Sequence, residues 1–144
     1  MLRRIGIYLA AVTLVMAFAG SAQAQDKLKD HFSDVANKVK ATADPAAKRE
    51  VLNESFNKMQ SALNTVQGSP LVSKSDKEGI AQFKVTLQEK QDELAGLNGY
   101  AGVPDAQLND FADYVVQDME QAGETVTISL VALLLIILIA VLIL

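Results

Sequence analysis

The chain holds few side chains that could do chemistry, and its single histidine is the most reactive of them. It contains no cysteine, which excludes disulfides, thiolate metal sites and cysteine nucleophiles. A Ser-His-Asp relay could therefore be built only around His31. His31 follows Asp30 and precedes Phe32, beside an apolar position of a predicted helix. That placement favours a surface or half-buried histidine over a catalytic base or a metal ligand.

Carboxylates are the other candidate groups, and they are concentrated late in the chain. Residues 91–124 include 8 acidic residues and no basic one, whereas residues 26–90 hold 11 basic and 9 acidic residues. Asp92 and Glu93 are adjacent on a predicted helix and point in different directions, so they cannot act as an acid–base pair across one bond. The acidic balance also excludes nucleic acid and anionic lipid as ligands of this segment.

Part of this charge lies on one side of the last helix of the domain. At about 100° per residue, five side chains share one helix face, which we call the acidic face: Asp110, Asp113, Gln117, Glu120 and Glu124. A solvated outer face is the simplest interpretation. The alternatives are a docking surface for a basic partner and a weak divalent-cation surface, although the chain has no Asp-x-Asp-x-Asp-Gly calcium loop. We therefore assign no catalytic, cofactor-binding or metal-ligating residue, and expect neither an enzyme nor a small-molecule substrate.

The elements that would position these groups are predicted to be helices. Apolar residues recur at alternating steps of three and four, and no period-2 run is present. The clearest stripe is Leu52, Phe56, Met59, Leu63 and Val66, and each of the four predicted helices carries one phenylalanine. The fold class is accordingly all-α: a small, heptad-like bundle of three to four helices, followed by a single C-terminal transmembrane helix.

Local signals place the helix ends and the turns. Asp44-Pro45 predicts an N-cap followed by proline at the first helical position. Because that junction has almost no linker, we expect a bend there, with residues 26–43 as an arm or folded over one end. Residues 67–74 and 97–104 are long enough to reverse the chain, so the last three helices form an antiparallel bundle. Ser75 to Glu78 has the form of a capping box, and Asp105 is predicted to cap the last helix of the domain.

Both ends of the chain are apolar, with different meanings. Residues 1–24 are typical of a signal peptide: Arg3 and Arg4 precede an apolar stretch, and an Ala-x-Ala pattern predicts a mature N-terminus at Gln25. Residues 25–124 form the exported helical domain and residues 125–144 the transmembrane helix. Residues 126–144 would span about 28 Å as a helix, close to the hydrocarbon thickness of a bilayer. A domain of about a hundred residues cannot surround a helix that is apolar on every face.

The junction between domain and span is predicted to be helical as well. Residues 105–144 contain no proline and one glycine, Gly123, so one continuous helix could run from the bundle into the lipid, with a bend at Gly123 as the alternative. Thr125, Ser129, Ala132 and Ala140 fall on one side of the span. Such a face of small side chains would let a second helix approach closely, unless the alignment is due to chance.

These features predict a membrane-anchored extracytoplasmic protein with an interaction or structural role and no catalytic activity. Its domain would be periplasmic or extracellular, and its C-terminus would lie at the cytoplasmic face. The expected partners are the lipid bilayer through residues 126–144 and either a second copy or another membrane protein. A small accessory subunit of a larger membrane complex, such as a transporter, is the alternative. A further alternative is that the C-terminal segment is a sorting signal that a processing system removes, although a retained anchor is favoured.

Overall fold

The structure, a computed structural model, describes residues 21–126 and 128–142. This part of the chain forms five α-helices and no strand, which confirms the predicted all-α class. The helices are α1 (Ser21–Ala41), α2 (Pro45–Gln67), α3 (Lys74–Ala95), α4 (Leu108–Thr125) and α5 (Leu130–Leu142), with a 3-10 turn at Asp105–Gln107. Most of the predicted signal peptide, residues 1–24, lies outside the described residues.

Helices α1 to α4 form a four-helix bundle in which each helix runs antiparallel to its two neighbours. The cross-helix contacts show this. Gln67, at the end of α2, meets Lys77 near the start of α3, and Lys40, late in α1, meets Asp113 early in α4. Asp76, near the start of α3, meets Ser129 just beyond the end of α4. The predicted antiparallel arrangement of α2, α3 and α4 is therefore confirmed. The fourth helix of the bundle is α1, which packs most extensively against α4.

The junction between α1 and α2 is a hairpin, so the expected bend with a projecting arm is wrong. Three non-helical residues, 42–44, reverse the chain. Lys48 then donates a hydrogen bond of 3.1 Å to the carbonyl of Val39, which places the start of α2 beside the end of α1. Proline fixes the entry angle of α2, and the extended conformation of Asp44 supplies the reversal.

The core of the bundle is filled by the apolar stripes read from the sequence. Every member of the α2 stripe is at most 2% exposed, and Phe32, Phe56 and Phe83 are fully enclosed. Phe111 of α4 is buried as well, so one phenylalanine from each bundle helix enters the core. The apolar spacing of Ile80, Phe83, Leu87 and Leu94 predicts a buried stripe on α3 that would continue to Leu97. Leu97 is instead exposed, because α3 ends at Ala95 and Gly96 takes a left-handed conformation (φ 76°) that turns the chain away.

The helix caps agree with the sequence at one junction and differ at two. Asp44 caps α2 by accepting a hydrogen bond from the amide of Ala47, with Pro45 at the first helical position. The capping box of α3 is formed by Ser73 and Asp76, two residues earlier than predicted. Asp105 begins a 3-10 turn rather than capping α4, and its carboxylate forms an ion pair of 2.7 Å with Arg49 instead.

The C-terminal region differs most from expectation. The predicted continuous helix over residues 105–144 is wrong, because α4 ends at Thr125 and the next residue, Val126, is extended (φ −89°, ψ 149°). The chain becomes helical again at Leu130, and the resulting α5 packs against α1 and α2. In the described residues, no helix combines the length and the hydrophobicity that crossing a membrane requires. The predicted transmembrane helix over residues 125–144 therefore gains no support from the structure.

Candidate functional site: the docked C-terminal helix

Helix α5 consists only of Leu, Ile, Val and Ala, and it lies in a groove between α1 and α2. Its direction is opposite to that of α2, because Ser129 lies near the start of α3 while Ala140 and Val141 reach the level of Ser55. We call the surface of α1 and α2 that α5 covers the α5 groove. Six α5 side chains are buried there: Ala132, Leu133, Leu134, Ile136, Ile137 and Ala140.

The opposite side of α5 faces outward and is equally apolar. We call it the outer face; it consists of Val131, Leu138, Val141 and Leu142, whereas Leu135 packs against the core. Val131 is 54% exposed and Val141 52% exposed, and the other two are half-buried. The bundle therefore covers most of a helix that is apolar on every side. The sequence-based argument that a domain of about a hundred residues has no room for such a helix is wrong to that extent, because six of its side chains are buried.

The two alanines expected to form a helix-packing face are turned toward the protein's own bundle. Ala132 is 1% exposed and Ala140 is 3% exposed. Small side chains at these positions let the α5 backbone approach the neighbouring helices closely, in the way small residues do between membrane helices. In this structure the close approach is to the α5 groove. The expected second helix from another molecule is therefore not needed to explain these two residues.

The N-terminal end of α5 is held by a buried carboxylate, that of Asp76. Its Oδ1 accepts a hydrogen bond of 2.6 Å from the backbone N–H of Ser129, and its Oδ2 accepts one of 2.9 Å from the Ser129 hydroxyl. Ser129 Oγ in turn accepts a hydrogen bond of 3.2 Å from the amide of Ala132, so Ser129 caps α5. We call this arrangement the Asp76–Ser129 contact. It joins residues 53 positions apart.

Asp76 serves the starts of two helices at once. It is 7% exposed and also accepts a hydrogen bond from the backbone N–H of Ser73 within the α3 capping box. Burial alone would raise the pKa of Asp76, but the hydrogen bonds from Ser129 and Ser73 outweigh it and hold that pKa below its ordinary value of 3.8. The side chain is thus a carboxylate at neutral pH, where it suits the positive ends of both helix dipoles.

The C-terminal end of α5 closes a small cavity of about 170 Å³. Val35 and Val51 contribute apolar walls, and His31 and Ser55 contribute polar atoms. His31 Nε2 and Ser55 Oγ are both buried there, and neither has a hydrogen-bond partner among the residues that the structure describes. Burial is the main cause that lowers the pKa of His31; the charge of Lys58 adds to it, and the charge of Asp34 opposes it. His31 is therefore a neutral, half-buried side chain, in line with the interpretation made from the sequence.

The acidic face of α4 is partly an internal interface. Asp113 forms an ion pair of 2.7 Å with Lys40, and Glu120 one of 3.7 Å with Lys29, both lysines lying on α1. The remaining members of the face are exposed. The face thus combines the predicted solvated surface with a function that the sequence did not reveal, the attachment of α1. In the part of the chain that the structure describes, no group of three or more His, Asp or Glu side chains is arranged to hold a metal ion.

Sequence reasoning missed both members of the Asp76–Ser129 contact, although each carried a local signal. Ser73-Lys74-Ser75-Asp76 has the serine-x-x-acid form of a capping box, and it competes with the box read two residues later. Ser129 directly precedes an uninterrupted apolar run, which is the usual position of an N-cap.

Comparison of the chain with protein-family models, with curated proteins and with solved structures finds no match.

Proposed function

We propose that this protein is an exported, non-catalytic helical interaction protein that attaches to a lipid bilayer through residues 126–144. The bundle is the part that meets partners on the extracytoplasmic side. The C-terminal segment is the part that meets lipid. The single observation that carries the proposal is the outer face of α5, where Val131 and Val141 are about half exposed on a helix without a polar side chain.

Lipid suits this helix better than water or a specific protein surface does. Large exposed apolar patches on small proteins are typically interaction sites. A bilayer accepts any apolar side chain, and α5 has no polar group that would give a protein partner orientation or specificity. Residues 130–144 hold no polar side chain, and as a helix of about 22 Å they would fit within a hydrocarbon core of about 30 Å.

The carboxylates of the bundle support a binding role rather than a catalytic one, because several of them hold helices together. Asp113 pairs with Lys40 of α1 and Asp105 with Arg49 of α2. Asp92 instead fixes the end of its own helix, where it accepts hydrogen bonds from Gln88 of α3 and from Asn98 of the following loop. Side chains fixed in this way orient the helices and the surfaces that a partner would meet.

Vesicle flotation tests the attachment to lipid. The mature chain, residues 25–144, is mixed with phosphatidylcholine vesicles, whose neutral surface does not repel an acidic chain. We expect it to float with the vesicles and to resist a carbonate or high-salt wash. Val131→Ser with Val141→Ser should reduce the floating fraction. The matched control, Val85→Ser with Leu97→Ser, alters two exposed apolar residues away from α5 (60% and 56% exposed) and should change nothing.

Failure of the wild-type chain to float would contradict attachment to lipid. Equal losses in both double variants would show that general hydrophobicity, rather than α5, determines binding.

Export is tested separately by the mass of the protein recovered from cells. A mature N-terminus at Gln25, with residues 125–144 retained, is expected. Recovery of the uncleaved chain, or loss of the C-terminal residues, would contradict that part of the proposal.

A further inference from the structure

Helix α5 is held in its groove by contacts that leave its outer face unburied. At its N-terminal end the Asp76–Ser129 contact supplies two hydrogen bonds to a carboxylate. Along its length, Ala132 and Ala140 allow close packing against the bundle. A bilayer would bury the outer face as well, so the outer face favours lipid. The hydrogen bonds, and the apolar groove surface that would become exposed to water, favour the docked position.

We propose that α5 exchanges between the α5 groove and the lipid bilayer, and that the Asp76–Ser129 contact sets the balance between the two positions. This inference rests on the proposed attachment to lipid and adds its regulation. With α5 docked, the protein is a closed bundle in water. With α5 in lipid, the α5 groove on α1 and α2 becomes open to solvent.

The chain between α4 and α5 permits this movement. Residues 126–129 link the two helices, and Val126 is extended rather than helical. Rotation about a few backbone bonds in that link would swing α5 away without unfolding α4. Helices α1 to α4 also contact one another directly, so the movement leaves the contacts among these four helices in place.

Three single-cysteine variants follow the movement, and the absence of native cysteine gives a clean background. Ser55→Cys is a nearly isosteric change at a residue that is 8% exposed and lies beside Ala140 and Val141. Val131→Cys reports the outer face. Ala112→Cys, at a core residue of α4 that is 2% exposed, reports unfolding of the bundle. Each full-length variant is treated with a water-soluble maleimide, with and without phosphatidylcholine vesicles.

In water we expect Val131→Cys to react and Ser55→Cys and Ala112→Cys to be protected. On vesicles we expect Val131→Cys to become protected and Ser55→Cys to react, with Ala112→Cys still protected. Flotation without any increase in Ser55→Cys labelling would overturn the exchange and leave the attachment to lipid intact. Absence of flotation would overturn both. Reaction of Ser55→Cys in water, or dimers in which Val131→Cys is protected in water, would also overturn the exchange.

Two pairs of variants test the control of the balance. Ser129→Ala removes the hydroxyl from the Asp76–Ser129 contact and leaves the α3 cap intact; Ser75→Ala is its control, an exposed serine in the first turn of α3. Ser55→Leu overfills the groove from the α2 side without changing α5, and Ser61→Leu makes the same change at an exposed serine of α2. We expect Ser129→Ala and Ser55→Leu to raise the floating fraction about fivefold at limiting vesicle concentration, in keeping with the loss of hydrogen bonds to a charged group or of close packing. The controls should match the wild type. Unchanged or reduced flotation in both test variants would overturn the proposal.

Discussion

The ammonium group of Lys90 lies 4.0 Å from the centre of the Tyr114 ring and donates a hydrogen bond of 2.9 Å to the Tyr114 hydroxyl. Lys90 is only 3% exposed, and it also forms ion pairs with Asp118 of α4 and Glu93 of its own helix. Burial alone would lower the pKa of Lys90, but the hydrogen bonds to Asp118 and to its other two partners raise that pKa above its ordinary value. One buried cation therefore joins α3 to α4.

Replacing Lys90 by Ala should lower the free energy of unfolding by about 2–3 kcal/mol, because it leaves carboxylates near the helix interface without their cation. The cost stays below that of a fully buried pair, since Asp118 and Glu93 remain 29% and 20% exposed. Urea unfolding of the full chain measures the change. Lys74→Ala, at an exposed lysine in the first turn of α3, should cost less than about 0.5 kcal/mol. Equal effects of the two substitutions would contradict the interhelical role of Lys90.

Asp76 should make stability depend on pH in the acid range. Its pKa is lowered in the folded protein, so its contribution is fully present above the unfolded-state pKa of about 3.9 and is lost as the pH falls through the lower, folded-state value. The difference in melting temperature between the wild type and Asp76→Asn should therefore be largest near neutral pH and should narrow below about pH 4. Glu78→Gln, an exposed change in the same helix, should show no such difference. A constant gap across the range would contradict this linkage.

His31 should produce a second pH dependence at milder acidity. Burial lowers its pKa, so the unfolded chain takes up a proton near pH 6.5 while the folded protein does not. The contribution of His31 to stability is then highest above about pH 6.5 and decreases as the pH falls toward the folded-state pKa. Melting temperatures from pH 7.5 to 5.5 should decline more for the wild type than for His31→Asn. Parallel curves would mean that His31 has the same pKa in both states.

Phe56 should be among the most sensitive positions of the bundle. It is 1% exposed, and its removal leaves a large cavity among the four helices, so Phe56→Ala should cost about 3–5 kcal/mol. Such a loss is a large part of the stability of a small domain, about 5–15 kcal/mol. Thermal melts of the full chain would show it. Val85→Ala removes an apolar side chain that is 60% exposed on α3 and should leave the melt nearly unchanged. A similar, small effect for both would place Phe56 outside the core.

The bundle could be predicted from the sequence because its information is local and periodic. The stripe that includes Phe56 and Met59 defines one buried face of α2, and Asp44-Pro45 marks where that helix begins. The same periodicity says nothing about α5. A helix that is apolar on every side gives no periodic signal for the side that will be buried. The shape of the groove determines that side.

Contacts between distant residues explain the rest of what was missed. Asp76 and Ser129 are 53 positions apart, and neither position indicates the other in the sequence. In the sequence, Lys90 is the last basic residue before the acidic segment, and Asp118 is one of several acidic residues in that segment. Neither position predicts that the two side chains form a pair. Their pairing depends on the antiparallel packing of α3 and α4, which places these two side chains at the same height in the bundle.

The short link before α5 limits how high the bundle can stand above a membrane. Four residues, 126–129, separate α4 from α5, and a fully extended stretch of that length reaches at most about 14 Å. The end of the bundle that carries Asp76 would therefore rest in the headgroup layer. Leu71, in the turn between α2 and α3, lies at this same end and is 83% exposed. It would enter the interface first, and the opposite end, with the hairpin at residues 42–44, would point away from the lipid toward any partner.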